Sequence, residues 1–396
     1  MNLIDVPLMY LAVLGGTLAL VWVALRLSPA IRERVLKGEA SRRHALDGAR
    51  GILALTVVIH HGILSRGVPH ERPPGLSLAE NLTWNLIIQL GSVPVALFFM
   101  ITAYLFCGRI IDRKGHIPTG AFFINRAMRI APLYYFTIGI LMVISLGDTG
   151  WHLTVPWSKF AHQAGRFLFF NFVPTYALNS MEHAFDVVGT VWTLKYEIVF
   201  YATIPVMAVL YRITKSALSL YAIPVALGCL VDPIYFLFLG GILATQVEHL
   251  AAERTWAWWQ AAGVLGLVAD IVCFGFSRGF TSCLLLAPLF VAIVQGRRWF
   301  SVLGLRPMRY LGEISYSVYL LHNPLLWVLV VWIIGTKEYH AMSDLQVVLL
   351  MLVMVPAVII LSTCTFLWIE HPTMHWISNR SKRGKSASEG RLQRSQ

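Results

Sequence analysis

The sequence predicts an all-α fold: a polytopic transmembrane helical bundle of about ten core spans plus one extra N-terminal span. Three observations carry that prediction. The 396 residues are 57% hydrophobic and only 13% charged, whereas soluble domains hold about 25% charged residues. Apolar runs of about 20 residues, enough to cross a hydrocarbon core as helix, recur along the chain. Basic residues gather at the ends of those runs, as topogenic charges do. A mean hydropathy of +0.66 agrees, and the net charge of +12 reads as membrane topology rather than a nucleic-acid footprint. Cys107, Cys229, Cys273, Cys283 and Cys364 lie in apolar segments without CxxC spacing. This argues against a disulfide framework or a metal site and for buried thiols.

The first span, about 7–27, has no small-residue cleavage site, and Arg32, Arg34, Lys37, Arg42 and Arg43 follow it. It reads as a retained helix with a basic linker, making residues 1–45 an extra N-terminal unit. Residues 46–64 form the next span. The polar stretch 65–85, with its Pro73-Pro74-Gly75 turn, is a loop. A span at 86–107 leads into a basic segment, and another at 131–147 opens onto the longest polar loop, 148–190. Further spans fit at 192–212, 217–231, 234–247, 257–276, 281–295, 311–334 and 346–369, with a turn at Asp232-Pro233. The core domain is therefore 46–372, and 373–396 is a basic tail with the composition of a disordered segment. With the Arg26–Arg50 side taken as cytoplasmic, 25 of the 32 Lys and Arg fall on that side and six on the other. Such a bias puts the N-terminus outside and the C-terminus in the cytoplasm.

Residues 46–64, LDGARGILALTVVIHHGIL, organise the chain. Eleven helical steps turn about 1100°, within about 20° of three full turns, so Arg50, Ala54, Val57 and His61 share one face. His60 lies about 80° off it, and Arg50 and His61 are about 16 Å apart along the axis. Ionisable groups at membrane depth are costly and face a cavity or a bundle interior. An imidazole ordinarily titrates near 6.5 and so suits proton transfer, while a guanidinium suits an anion. The bland alternative is a snorkelling arginine and a histidine bonded to a neighbouring helix.

Four other stretches carry polar groups into apolar sequence. Phe98–Phe106, FFMITAYLF, has Thr102 and Ala103, small residues that suit close helix packing. In Asn125–Tyr135, NRAMRIAPLYY, Arg126 and Arg129 share a helical face just before Pro132. There they could bind a polyphosphate or simply lipid headgroups. In Trp192–Tyr201, WTLKYEIVFY, Glu197 precedes an apolar run and is expected to be buried, orienting His61 or a substrate hydroxyl. The alternative is an interfacial ion pair beside Trp192 and Tyr196. In Leu311–Pro324, LGEISYSVYLLHNP, Ser315, Tyr319 and His322 recur at i, i+4 and i+7, a polar stripe that faces protein or water. Walker A, HExxH, GxSxG and post-strand GxGxxG patterns are missing, which leaves ATP-driven transport and serine hydrolysis without support.

In this order the stretches resemble the acyltransferase-3 family of integral-membrane acyltransferases, over about Leu46–Pro372. LDGARGILALTVVIHH is similar to the family's opening segment, with ten residues between Arg50 and His61. VALFFMITAYLF resembles FFxISGFL, with Thr102-Ala103 in place of Ser-Gly. RAMRIAPLYY resembles RxxRIxPxY, and WTLKYEIVFY resembles WSLxxExxFY, placing Glu197 on the family's Glu. FLFLGGILA is like a later glycine segment, GEISYSVYLLHNP resembles GxxSYxxYLxHxP, and Glu370-His371-Pro372 resembles the terminal ExP. The resemblance implies transfer of an acyl group, commonly acetyl, from cytoplasmic acyl-CoA to a hydroxyl on an extracytoplasmic glycan or glycolipid. Acetyl-CoA is then a donor substrate rather than a resident cofactor. The protein would work in the lipid bilayer of a bacterial inner membrane, without nucleic acid. His61 would be the general base or a covalent acyl relay, and Arg50 would anchor donor phosphate or stabilise an oxyanion. Arg126 and Arg129 would steer the donor, Glu197 would polarise the acceptor or His61, and Ser315, Tyr319, His322 and Trp192 would support them. A proton-coupled transporter using His61, Glu197 and His322 as a relay is the rival from another class. Internal repeats would favour it, and none is visible.

Overall fold

The computed structural model describes residues 5–29, 33, 35, 36, 44–69, 71–250, 256–274, 279–296 and 298–374. The basic tail expected at 373–396 lies outside them beyond residue 374, as does most of the basic linker before residue 44. Among the described residues the architecture is all-α, a membrane helical bundle. Each of the eleven expected apolar segments coincides with helix over most of its length. Six helices among the described residues are long and apolar enough to cross a membrane.

Helix α1 (Asp5–Leu27) lies at the periphery, packed against the last long helix. Helix α2 (His44–Leu64) carries the two histidines, and 15 of its 21 residues are buried. A helix enclosed on nearly all sides cannot face lipid, so its charged groups point into protein. One face of α2, with Leu46, Ala49, Leu53 and Val57, belongs to one apolar core, and another, with Ala54, Leu55, Val58, Ile59 and Ile63, belongs to a second. It is the wall between two halves of the bundle.

Helix α3 (Leu78–Asp112) begins at a capping box of Ser77 and Glu80 and runs 35 residues through Pro94. It starts eight residues earlier than hydropathy suggests, because the capping box and its polar first turns carry no apolar signal. Helix α4 (Thr119–Asp148) also starts early and passes through Pro132, which membrane helices tolerate. Arg126 and Arg129 therefore sit two to three turns inside a helix, not at its margin.

The polar loop expected at 148–190 is partly helical. It contains the amphipathic helix α5 (Trp157–Leu168). It is pinned by Asn179, whose Oδ1 accepts from Thr154 N at 2.9 Å and whose Nδ2 donates to Thr149 Oγ1 at 2.8 Å. Beyond it come α6 (Trp192–Thr214), α7 (Ala222–Leu230), α8 (Leu237–Leu250), α9 (Trp256–Cys273) and α10 (Phe280–Gln295). Helix α8 packs on α3 and α10, closing the first half.

The second half holds α11 (Arg306–Glu313), α12 (Ser315–Trp327), the short α13 (Thr336–Ala341) and α14 (Asp344–Thr365). The span expected at 311–334 is broken at Ile314 and ends in a π-helical stretch, Val328–Ile334. Helix α11 lies directly on α2: a Cβ added to Gly312 would stand 1.9 Å from the Asp47 carbonyl oxygen. Glycine is what permits this approach. Helix α14 passes into a second π-helical turn, Phe366–Glu370, which aims the buried Glu370 carboxylate at Ser317 on α12.

Candidate active site

Five helices enclose a cavity of about 120 Å³ beside α2. Arg50 enters from α2, Arg126 and Arg129 from α4, Glu197 and Tyr201 from α6, and Ser315, Tyr316 and Tyr319 from α12. Helix α3 supplies Thr102 and the apolar wall, including Phe98, Phe99 and Phe106. Six of the nine residues singled out from sequence thus converge on one space.

Among the described residues Glu197 is the sole carboxylate lining this cavity. Its Oε2 accepts from the Tyr201 hydroxyl at 2.9 Å and its Oε1 from Thr102 Oγ1 at 3.4 Å. None of Arg50, Arg126 and Arg129 is ion-paired to a carboxylate among the described residues. The Arg126 guanidinium instead lies over the Phe106 ring, 5.1 Å from its centroid, and its Nε is buried without a hydrogen-bond partner. The lining holds three guanidinium groups and one carboxylate in a mostly apolar wall, with Glu370 and Asp47 in electrostatic reach of Arg50 from outside it, and the space between favours an anion or developing negative charge.

The two adjacent histidines have different partners. His60 Nδ1–H donates to the Ile87 carbonyl at 2.8 Å, tying α2 to α3. Its ring lies where a side chain on Gly91 would stand. His61, on the Arg50 face, meets α12, with its ring 5.3 Å from that of His322. His322 is fully buried, and its Nδ1–H donates to the Val318 carbonyl at 3.0 Å. That bond assigns the lone pair of the neutral ring to Nε2, which has no partner among the described residues. Tyr319 links the imidazoles to the cavity: it lines the latter, and its ring is 6.2 Å from His322. It also braces α12 on α6, its hydroxyl 3.2 Å from Thr193 Oγ1 and its carbonyl accepting from Thr190 at 3.0 Å. At the far end of α2, Tyr339 donates to the Gly62 carbonyl at 2.7 Å. Burial pushes its phenol up to about 12, so it remains a donor.

Helix α2 begins six residues before Arg50 and ends three after His61. The arginine is thus inside the bundle, and the histidine is within a turn of the opposite helix end. The face shared by Arg50 and His61 is turned inward, onto α12. Glu197 bonds Tyr201 and Thr102. Trp192 lies outside the cavity, edge-on to Tyr196 at 5.8 Å. Thr102, read as a packing residue, is a donor to Glu197. Tyr201 and Tyr316 escaped the sequence reading, although Tyr201 stands one helical turn from Glu197.

A membrane-embedded, arginine-rich cavity joined through a tyrosine to the buried His322 and its half-buried neighbour His61 is the site of an integral membrane enzyme. The sequence profile of the acyltransferase-3 family, described as an acyltransferase domain, matches residues 43–369, and the chain belongs to that family of acyltransferases. It is also similar to Nodulation protein 10 of Rhizobium leguminosarum bv. viciae, with 25% identity over 310 residues, 66% of this chain and 83% of the relative. No solved structure matches the chain. Membership in an acyltransferase family goes against the transporter alternative.

Proposed function

We propose that this membrane acyltransferase moves an acetyl group from cytoplasmic acetyl-CoA to a hydroxyl of a carbohydrate or glycolipid outside the cell membrane. In this reading it sits in a bacterial inner membrane with its C-terminus in the cytoplasm, as the distribution of Lys and Arg suggests. The observation that carries the proposal is the excess of guanidinium over carboxylate lining a cavity that Tyr319 separates from the His61–His322 pair, neither of which lines it.

Arg50 and His61, about 16 Å apart along α2, cannot both touch one reacting carbonyl. Arg50, Arg126 and Arg129 therefore bind the donor's diphosphate, and the extended pantetheine arm carries the thioester toward His61. The acceptor hydroxyl enters from the opposite side. His61 takes its proton as the oxygen attacks the thioester carbonyl, and the His322 Nε2 lone pair accepts from a second, neighbouring hydroxyl of the acceptor and so holds it in place. Collapse of the tetrahedral adduct breaks the C–S bond, the imidazolium returns its proton to the departing thiolate, and CoA-SH and the acetyl ester result. Glu197, held by Tyr201 and Thr102, keeps the arginine cluster from excessive positive charge. Ser315 donates to the Gly312 carbonyl across the α11–α12 break, and Tyr319 holds α12 in register with α6.

Mass spectrometry of surface glycans from cells with and without the protein tests this reading. An acetyl ester, with its mass increment of one acetyl group, should be present only with the protein. Identical glycan masses alongside undiminished acetyl-CoA would refute it.

A further inference from the structure

The site cavity is too small for a nucleotide. Its volume of about 120 Å³ is below the roughly 300–1,000 Å³ of pockets that hold small-molecule ligands. A second hollow, of about 450 Å³, opens at the basic end of the bundle between the α3–α4 turn and the last turns of α6. It is lined by Gly115, His116, Thr119, Pro205, Ala208 and Arg212 among others, and none of its lining residues is acidic.

The two hollows lie on one track. Along α6, Glu197 and Tyr201 face the site cavity, and Pro205, Ala208 and Arg212 face the second. These five are spaced four, four, three and four apart, so they form one stripe down a single helix face. From Tyr201 to Arg212 the stripe descends about 16 Å. Along α4 the order repeats: Thr119 lines the lower hollow, Arg126 and Arg129 the upper. Between them Phe122 packs on Phe106 at 5.4 Å and on Tyr201 at 6.4 Å, an aromatic floor between the two spaces.

The wall of the lower hollow is built rather than incidental. Gly115 has φ +77, and a Cβ there would stand 2.6 Å from the Ala208 carbonyl oxygen. The turn thus rests against α6 by virtue of a glycine. The preceding Lys114 is also left-handed, at φ +50, and is exposed at the rim with His116 and Arg212.

We infer that the lower hollow receives the phosphorylated nucleotide end of the donor, with Arg212 and His116 on its ribose phosphate. The diphosphate then reaches the arginine cavity along the α6 stripe as the Phe122 ring swings aside. This rests on the reading that the donor is acyl-CoA. An exposed guanidinium attracts a multiply charged phosphate, and reversing its sign replaces attraction with repulsion.

The test is steady-state kinetics of the full-length protein in lipid vesicles, with acetyl-CoA and with 3′-dephospho-acetyl-CoA as donors, comparing wild type, Arg212→Glu and Arg212→Lys. The expected result is a KM for acetyl-CoA raised about tenfold by Arg212→Glu, with kcat changed less than twofold. Arg212→Lys should recover most of the loss, and the KM for the dephospho donor should move less than twofold in either variant. Equal penalties on both donors, or none on either, would overturn the assignment of the hollow while leaving acyl-CoA as donor. If the wild type consumes neither thioester, the donor reading itself falls, and this inference with it.

Discussion

The imidazole rings of His61 on α2 and His322 on α12 stand 5.3 Å apart, and the nitrogen that His322 leaves without a partner is its Nε2. Replacing His322 by Ala should lower kcat roughly ten- to a hundredfold with membrane abundance maintained. A positioning group contributes less than the proton-transferring base, whose removal costs about 10²–10⁴. His60→Ala should behave differently. It loses the bond to Ile87 and leaves a void between α2 and α3, so it should lower the melting temperature of the purified protein while kcat per folded molecule stays near wild type.

Acidification should lower the rate. A histidine acting as base must be neutral, so protonation removes the active form and kcat falls as pH drops through the imidazole range. A pH series of acyl transfer in vesicles checks this. A rate that rises on acidification would assign the imidazole to the acid role instead.

The two hydrogen bonds to Glu197 differ in length, which ranks two mutants. Tyr201→Phe removes a bond of 2.9 Å to the carboxylate, and Thr102→Val removes one of 3.4 Å. Bonds to charged groups are worth about 1.5–3 kcal/mol and weaken with length. Tyr201→Phe should therefore cut kcat/KM by about tenfold, and Thr102→Val by no more than about threefold. Reversal of that order would mean Glu197 is held by something other than Tyr201.

Two glycine substitutions should have opposite signs. Gly312→Ala drives a methyl into the Asp47 carbonyl, separating α11 from α2, and should cost about 1–3 kcal/mol, visible as a lower melting temperature in detergent. Gly139→Ala in α4 meets nothing within 4 Å, so reduced backbone freedom should leave stability unchanged or raise it by up to about 1 kcal/mol.

Hydropathy made the long helices legible, because a lipid-facing helix must be apolar over its whole crossing. It did not reveal α5, whose alternation of Trp157, Lys159, Phe160, His162 and Phe167 averages to a polar stretch and packs by one face. The early start of α3 was hidden because its first turns are polar, and that of α4 because Asn125, Arg126 and Arg129 sit where a window average ends the span. At the site, helical spacing was enough to put Arg50 with His61 and Ser315 with Tyr319 and His322. It also separated His60 from His61. Spacing within one helix cannot report which helices meet, so the Tyr201 and Thr102 bonds to Glu197 went unseen. The π-helical turn that points Glu370 at Ser317 leaves no period in the sequence at all.

The central claim is that His61 takes the proton when an acetyl group passes from the donor to a hydroxyl. Wild-type and His61→Ala protein, each purified and reconstituted at equal abundance, should be supplied with acetyl-labelled CoA on the basic side and a glycan acceptor on the other. The account predicts labelled glycan and released CoA-SH with the wild type, and a rate at least a hundredfold lower with His61→Ala. Labelled glycan appearing at the wild-type rate with His61→Ala would contradict it.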